Sequence, residues 1–296
     1  MTEEPEIQTW AEALQEIIDD PKIKTSIEEK GFHQFPEWTK FRKKYPVKSK
    51  PTGIISLDFW SKQHKILRKN NYYILRTGGG KFAILDREKF PKPYLDLNVK
   101  NAEQLSYDKD PNFKDLWNAF SDLNQEDTGL EHLNGAGVYE SLFRKLELEE
   151  HKHKMEWHIG PRGNRWAETA DRKGFKVYGQ NKQKEILPLY DFKGQEELDY
   201  TLWTKDHILL FEAKSVKRNK GLDIGWHKMA YPANRFRKYN RKIIPIYLLK
   251  WEKIYHMFVF PVFDFHKDGI IINDQEKLKP DRIFRVNFGS SLDDVQ

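Results

Sequence analysis

The chain reads as an α/β protein: a mixed sheet flanked by helices in its C-terminal part, preceded by a mostly helical N-terminal part. Three observations carry that reading. Two strand-like runs, Leu198 to Trp203 and Ile208 to Phe211, flank a polar turn at Lys205-Asp206. Helical patterns over 137–149 and 223–239 bracket them. Further apolar runs, Ile243 to Leu249 and Met257 to Phe263, have strand length and follow the second helix. Helix, antiparallel strands, helix and strand in that order give an α/β sandwich around one sheet.

Along the N-terminal part, Ile7, Trp10, Leu14, Ile17 and Ile18 share one face of a helix over 7–18. Pro36 to Pro51 is bounded by prolines and rich in lysine, which predicts a short helix followed by a loop. Ser56 is placed as the N-cap of a helix running through Trp60 to Lys69. Strand-like Tyr72 to Arg76, the turn Gly78-Gly79-Gly80 and strand-like Phe82 to Leu85 come next. A basic helix followed by a hairpin resembles the recognition helix and wing of winged-helix DNA binders. Lys65 and Arg68 would then face DNA; otherwise they line a solvated helix face. Gly78-Gly79-Gly80-Lys81 is not a phosphate loop, because Leu75 stands where the first glycine belongs and Phe82 where Ser or Thr belongs.

Pro91 to Pro93 and the polar stretch Asn98 to Pro111 predict a connection, followed by a helix from Asn112 to Leu123. The expected division is residues 1–120 and residues 121–296. In the second part the expected strands are 175–179, 186–192, 197–204, 207–214, 243–249 and 255–262.

Composition narrows the classes of function. With 296 residues, 38% apolar residues, 9 Trp, 13 Tyr and 19 Phe, a sizeable core is available. The absence of cysteine excludes disulfides, thiolate metal sites and a cysteine nucleophile, and fits a reducing cytoplasm. No apolar run approaches the roughly 18–20 residues that span a bilayer, so no membrane partner is expected. No dinucleotide or nucleotide fingerprint is present. The formal charge is +6 and is unevenly spread: residues 1–30 hold nine acids against three lysines, whereas residues 217–242 hold nine Lys/Arg and a single acid, Asp223. That basic block points to a polyanionic partner.

The hairpin carries the chemistry. Centred between Lys205 and Asp206, it places Asp199 opposite Glu212, with Cβ atoms roughly 4.5–5.5 Å apart. Strand alternation puts Lys214 on the face of Glu212. Opposed like charges destabilise a ladder, and a divalent cation held between two hard oxygen ligands offsets that cost.

An acid followed, after an apolar strand, by Glu212-Ala213-Lys214 resembles the PD-(D/E)XK nuclease superfamily, with Leu198 where the motif name has proline. The resemblance covers roughly residues 135–262. It implies a mixed-sheet nuclease core flanked by helices in residues 121–296, and metal-dependent phosphodiester hydrolysis leaving 5′-phosphate and 3′-hydroxyl ends. Residues 1–120 would form a DNA-recognition or accessory domain. By the same resemblance Asp199, Glu212 and the Ala213 carbonyl would hold one or two Mg²⁺ ions, with Mn²⁺ able to substitute, and Lys214 would act on the attacking water. A further glutamate on the first helix of the core fits Glu140.

DNA contact is expected from the block after the hairpin, including Lys217, Arg218, Lys220, Arg235 and Arg237, since phosphate contacts are mostly Lys and Arg. A loop at 158–166 presents Arg162, Asn164 and Arg165, residue types that read base edges in the major groove. Together these readings predict a cytoplasmic, Mg²⁺-dependent DNA endonuclease of the type II restriction kind. A homodimer is expected if its site is palindromic. The alternatives are a structure-specific nuclease acting on junctions, flaps or damage, and a catalytically inactive DNA-binding protein.

Overall fold

The central element is a seven-stranded mixed sheet in a computed structural model that describes residues 8–47, 58–108, 126–148, 157–163, 165–166, 174–217 and 220–288. In chain order the helices are α1 (Trp10–Asp19), α2 (Pro21–Lys30), α3 (Trp38–Lys44), α4 (Lys65–Lys69), α5 (Glu126–Gly135), α6 (Val138–Lys145) and α7 (His227–Asn234). The strands are β1 (Phe32–Gln34), β2 (Tyr72–Gly78), β3 (Lys81–Asp86), β4 (Glu103–Gln104), β5 (His158–Ile159), β6 (Arg165–Trp166), β7 (Phe175–Gln180) and β8 (Ile186–Phe192). They continue as β9 (Gln195–Glu196), β10 (Tyr200–Trp203), β11 (His207–Ser215), β12 (Lys242–Trp251), β13 (Ile254–Val259), β14 (Gly269–Ile271) and β15 (Arg282–Asn287). The large sheet runs β4–β15–β13–β12–β11–β10–β5. Its central pair β11–β12 is parallel and is joined through α7, as a parallel pair requires a crossover.

Both faces of this sheet are covered. Strand β12 is buried from Ile243 to Trp251 and apolar throughout except at Lys250, the pattern of a strand with helices on either side. On one face α5 and α6 pack Leu133, Val138, Tyr139 and Leu142 against Tyr200, Leu209, Phe211 and Leu248. On the other, α7 sets Met229, Ala230 and Ala233 against Ile208, Leu210, Tyr247 and Phe258. The protein is therefore an α/β sandwich with a helical N-terminal part.

That N-terminal part begins with a capping box: Thr9 accepts from the Glu12 amide while the Glu12 carboxylate accepts from Thr9, which starts α1. Asp20 caps α2, Pro21 fills its first position, and Gly31 ends it in the left-handed conformation. The sheet order is β1–β3–β2, with helices before β1 and between β1 and β2, and α4 leads into the β2–β3 hairpin as expected. Gly79 and Gly80 (φ 56° and 72°) form the two-residue turn of the β2–β3 hairpin, where both positions need positive φ.

Several boundaries differ from expectation. The helix expected through Trp60 to Lys69 is a 3-10 turn at Trp60–Lys62 and then α4, because Gln63 is extended and buries its side chain on the Ile74 backbone. The helix expected over 223–239 shortens to α7, with Pro232 inside it. The helix expected at 112–123 and the boundary at 120 lie outside the described residues, as does Ser56. The two halves also share one core. Tyr73, Leu75, Ala83 and Leu85 of the wing hairpin pack in the same cluster as Val177, Leu189 and Phe192. At the wing tip, a Cβ added to Gly78 would stand 2.4 Å from the Lys193 carbonyl oxygen, so backbone meets backbone there. Among the described residues no helix is long and apolar enough to cross a membrane.

Candidate active site

Strands β10 and β11 pair antiparallel with Tyr200 opposite Phe211 and Trp203 opposite Ile208. The ladder ends at Tyr200; Asp199, just before it, accepts a 2.7 Å hydrogen bond from the Ala213 amide, and its charge acts on Glu212. Along β11, Leu209, Phe211 and Ala213 enter the α5–α6 core, so Glu212 and Lys214 point to the α7 face. The Lys214 ammonium lies 2.9 Å from Glu212 Oε1 and donates to the Ala213 carbonyl at 3.0 Å.

A second lysine completes the cluster. Lys228, in the first turn of α7, lies 2.7 Å from Glu197, 3.7 Å from Glu212 and 3.8 Å from Asp58. The helix is held against the sheet by Met229, Ala230 and Ala233, and this packing turns Lys228 inward rather than to solvent. Asp58 comes from the N-terminal part, Glu197 from the approach to β10, and Glu212 from β11. One ammonium thus ties three separate segments together.

The electrostatics follow from burial. Glu212 is 1% exposed, and desolvation pushes its carboxyl up to about 8; Lys228 and Lys214 oppose that shift and Asp199 adds to it. Desolvation also raises Asp199, opposed by Lys214 and by the Ala213 amide. Burial works against the Lys228 charge, but Glu212 and Asp58 outweigh it and raise its pKa. Glu197 is lowered through its hydrogen bond to Lys228. Next to Lys228, buried His227 is pushed down to about 3 and is neutral at ordinary pH.

Asp58, Arg76, Glu197, Lys214, His227 and Lys228 line a cleft of about 340 Å³, and Glu212, itself outside that lining, is held by its two lysines. The chain thus brings two ammonium groups to a concave surface between its N- and C-terminal parts, with a desolvated carboxyl, Glu212, in contact with both. Among the described residues no group of three or more His, Asp or Glu side chains is arranged to hold a metal ion. The donor set fits a cation nonetheless. Two desolvated carboxyls, the charge of one acting on the other, resist ionisation, and a divalent ion relieves both. A hard ion that keeps several waters and takes substrate phosphate as a ligand needs only one or two protein carboxylates.

The other expected residues fall in different places. Glu140 is exposed on α6, which covers the face of the sheet opposite Glu212, and it is not among the charges acting on Glu212 or Asp199. The structure therefore does not bring Glu140 to the pair; the shift of side follows from Val138, Tyr139, Leu142 and Phe143 burying the rest of that helix. Lys65 and Arg68 are exposed on α4, and Lys217 and Lys220 are exposed beyond β11. Arg162 is exposed and pairs with Glu131 at 2.9 Å. Half-buried Arg235 donates to the Gly163 carbonyl, which ties the 158–163 segment to the end of α7. Arg237 is exposed above the Phe265 ring. Asn164, Arg218 and the side chain of Arg165 lie outside the described residues.

Glu197, Asp58, Arg76 and His227 were not anticipated as site residues. Two of them lie more than a hundred residues away from the hairpin in sequence, and no local pattern marks them. Lys228 had a weak signal, lying one position before the buried Met229 in a helix whose inward face is apolar.

Over residues 167–274 the chain is similar to a family described as a domain of unknown function, DUF6997. That span contains Asp199, Glu212, Lys214 and Lys228 and leaves out α6 and the whole N-terminal part. No curated protein and no solved structure matches the chain.

Proposed function

We propose that this protein is a Mg²⁺-dependent DNA endonuclease, of the sequence-specific type II restriction kind. The observation that carries the reading is the neighbouring, desolvated pair Asp199 and Glu212, with Lys214 in contact with Glu212. Few structural roles require a second acid beside a buried carboxyl, and the PD-(D/E)XK resemblance of the same residues gives the pair a chemistry.

In this reading Asp199, Glu212 and the Ala213 carbonyl hold the ion. When bound, it would lower the pKa of a water and offset charge growing on the phosphate. Lys214 orients the attacking water and stabilises the added negative charge with its ammonium. Lys228 keeps Glu212 in place and, through Asp58, joins the N-terminal part to the site. Exposed Lys217, Lys220 and Arg237, with Lys65 and Arg68 on α4, supply phosphate contacts. A palindromic site would be met by a homodimer, and Mn²⁺ would substitute for Mg²⁺.

A second reading draws on the ion pairs themselves. Lys214 and Lys228 already compensate Glu212, as they would in a purely structural charge cluster, which leaves an inactive DNA-binding protein. Supercoiled plasmid with Mg²⁺ separates the two. The proposal expects discrete linear fragments, abolished by EDTA and by Asp199→Ala or Lys214→Ala, with DNA binding retained. Cutting only of branched or flap substrates moves the assignment to a structure-specific nuclease. Binding without cutting favours the second reading, and undiminished cleavage by either variant overturns the proposed site.

A further inference from the structure

A larger cavity, about 1030 Å³, opens on the same face of the sheet immediately beyond the catalytic strand. Its wall begins with Ser215, Val216 and Lys217, which directly follow Lys214, and continues across the sheet to Trp251, His256 and Arg285. The strand register explains the continuity. Lys214 lies beside Leu249, Leu249 opposite His256, and His256 opposite Arg285, so one row of side chains runs from the cleft into this cavity. Three strand spacings put Arg285 roughly 14 Å from Lys214 along that row.

The chemistry of the wall is unusual for a surface recess. The indole nitrogen of Trp251, Nδ1 of His256 and Nε of Arg285 are all buried, and none has a hydrogen-bond partner among the described residues. Trp251 and His256 are only 8% and 5% exposed, with their rings 4.9 Å apart. A buried donor left unpaired costs about 1–3 kcal/mol, so the Trp251 and Arg285 N–H groups, with His256 Nδ1 in the tautomer that protonates it, call for an acceptor that arrives from outside. Among the described residues of the lining Lys217 and Arg285 are cationic and Glu252 is the single acid, so the balance favours an anion. The guanidinium, indole and imidazole can each offer an N–H to oxygen. The volume lies at the upper end of small-molecule sites, roughly 300–1,000 Å³, and exceeds what one inorganic ion fills.

We infer that this cavity is a phosphate-recognition pocket in which Arg285, Trp251 and His256 donate to the oxygens of a phosphate that carries a nucleoside. Two sources share that chemistry. One is a free mononucleotide; the other is a phosphate of a nucleic-acid strand lying along the row that leads from Lys214. The second source rests on the proposed nuclease reading, and the first does not.

Calorimetric titration in EDTA separates them. The ligands are inorganic phosphate, a deoxynucleoside 5′-monophosphate, and a short single-stranded oligonucleotide with and without a 5′-phosphate. They are titrated into the full chain and into its Arg285→Gln and Trp251→Phe variants. Trp251→Phe keeps a buried ring and removes only the N–H, so its folding, checked by near-ultraviolet circular dichroism, serves as control. Mononucleotide binding that weakens about tenfold or more in Arg285→Gln assigns the pocket to a free nucleotide. Oligonucleotide binding weakened to the same extent, without mononucleotide binding, assigns it to the strand. Affinities for all four ligands that are unchanged in both variants, or no binding by the folded wild type, overturn the pocket. Plasmid cleavage retained by wild type alongside either of these negative results leaves the Asp199–Glu212 site standing.

Discussion

At the scale of single residues, Glu212 is where burial and charge conflict most. Its ordinary pKa is 4.5, and in the fold it holds its proton to about 8. Between those values the folded chain carries a proton that the unfolded chain has lost, so stability falls as pH rises from about 4.5 to 8. Glu212→Gln should flatten that fall, measured as urea midpoints from pH 5 to 8.5; an unchanged slope would mean that Glu212 ionises normally. Activity should move the opposite way. Cleavage should rise with pH as Glu212 gives up its proton, and the rise should shift to lower pH as Mg²⁺ increases, because proton and ion compete for the same oxygens. Lys228→Met tests the hub. It strips Glu212, Glu197 and Asp58 of a shared partner, and breaking a buried pair of this kind costs roughly 3–5 kcal/mol. Because Lys228 retains some solvent access, the lower end is expected, read as a reduced denaturation midpoint.

At the scale of elements, the β10–β11 hairpin was legible because a short turn fixes register locally and side-chain direction alternates strictly. Strand β8 was likewise placed at 186–192 by its apolar run. What escaped was non-local. Glu140 has the right residue type on the right kind of helix, yet the face that α6 presents is set by which side of the sheet it covers. The cations after the hairpin divided in the same way: Lys228 turns inward and Arg237 outward, which a charge count over 217–242 does not distinguish. The wing hairpin gives the sharpest test at this scale. Gly78 combines a φ of 84° with a neighbouring carbonyl that leaves no room for a methyl group. Gly78→Ala should therefore lower stability by roughly 2 kcal/mol. Thermal unfolding checks it, and an unchanged melting temperature would show that the wing does not press on the 193–194 turn.

For the molecule as a whole, the two halves share a hydrophobic cluster and a cleft, with Asp58 and Arg76 on one side and Glu197, Lys214 and Lys228 on the other. The sequence divided these halves at a polar stretch, and nothing in local composition reports that wing and β8 bury each other's apolar faces. If DNA is the partner, the exposed cations Lys65, Arg68, Lys217, Lys220 and Arg237 set its electrostatics. Up to five phosphate contacts give a slope of log affinity against log salt of roughly −3 to −5. Fluorescence anisotropy between 50 and 200 mM salt, roughly the range over which such binding weakens most, reads this directly. A flat response would remove these residues from the interface.

In the proposed site Asp199 and Glu212 share one divalent ion. Titrating Mn²⁺ into the protein above the Glu212 pKa, followed by calorimetry, measures that sharing without reference to any substrate. Binding in the wild type that weakens about tenfold or more in both Asp199→Asn and Glu212→Gln is the expected result. Equal Mn²⁺ affinity in all three proteins would contradict it.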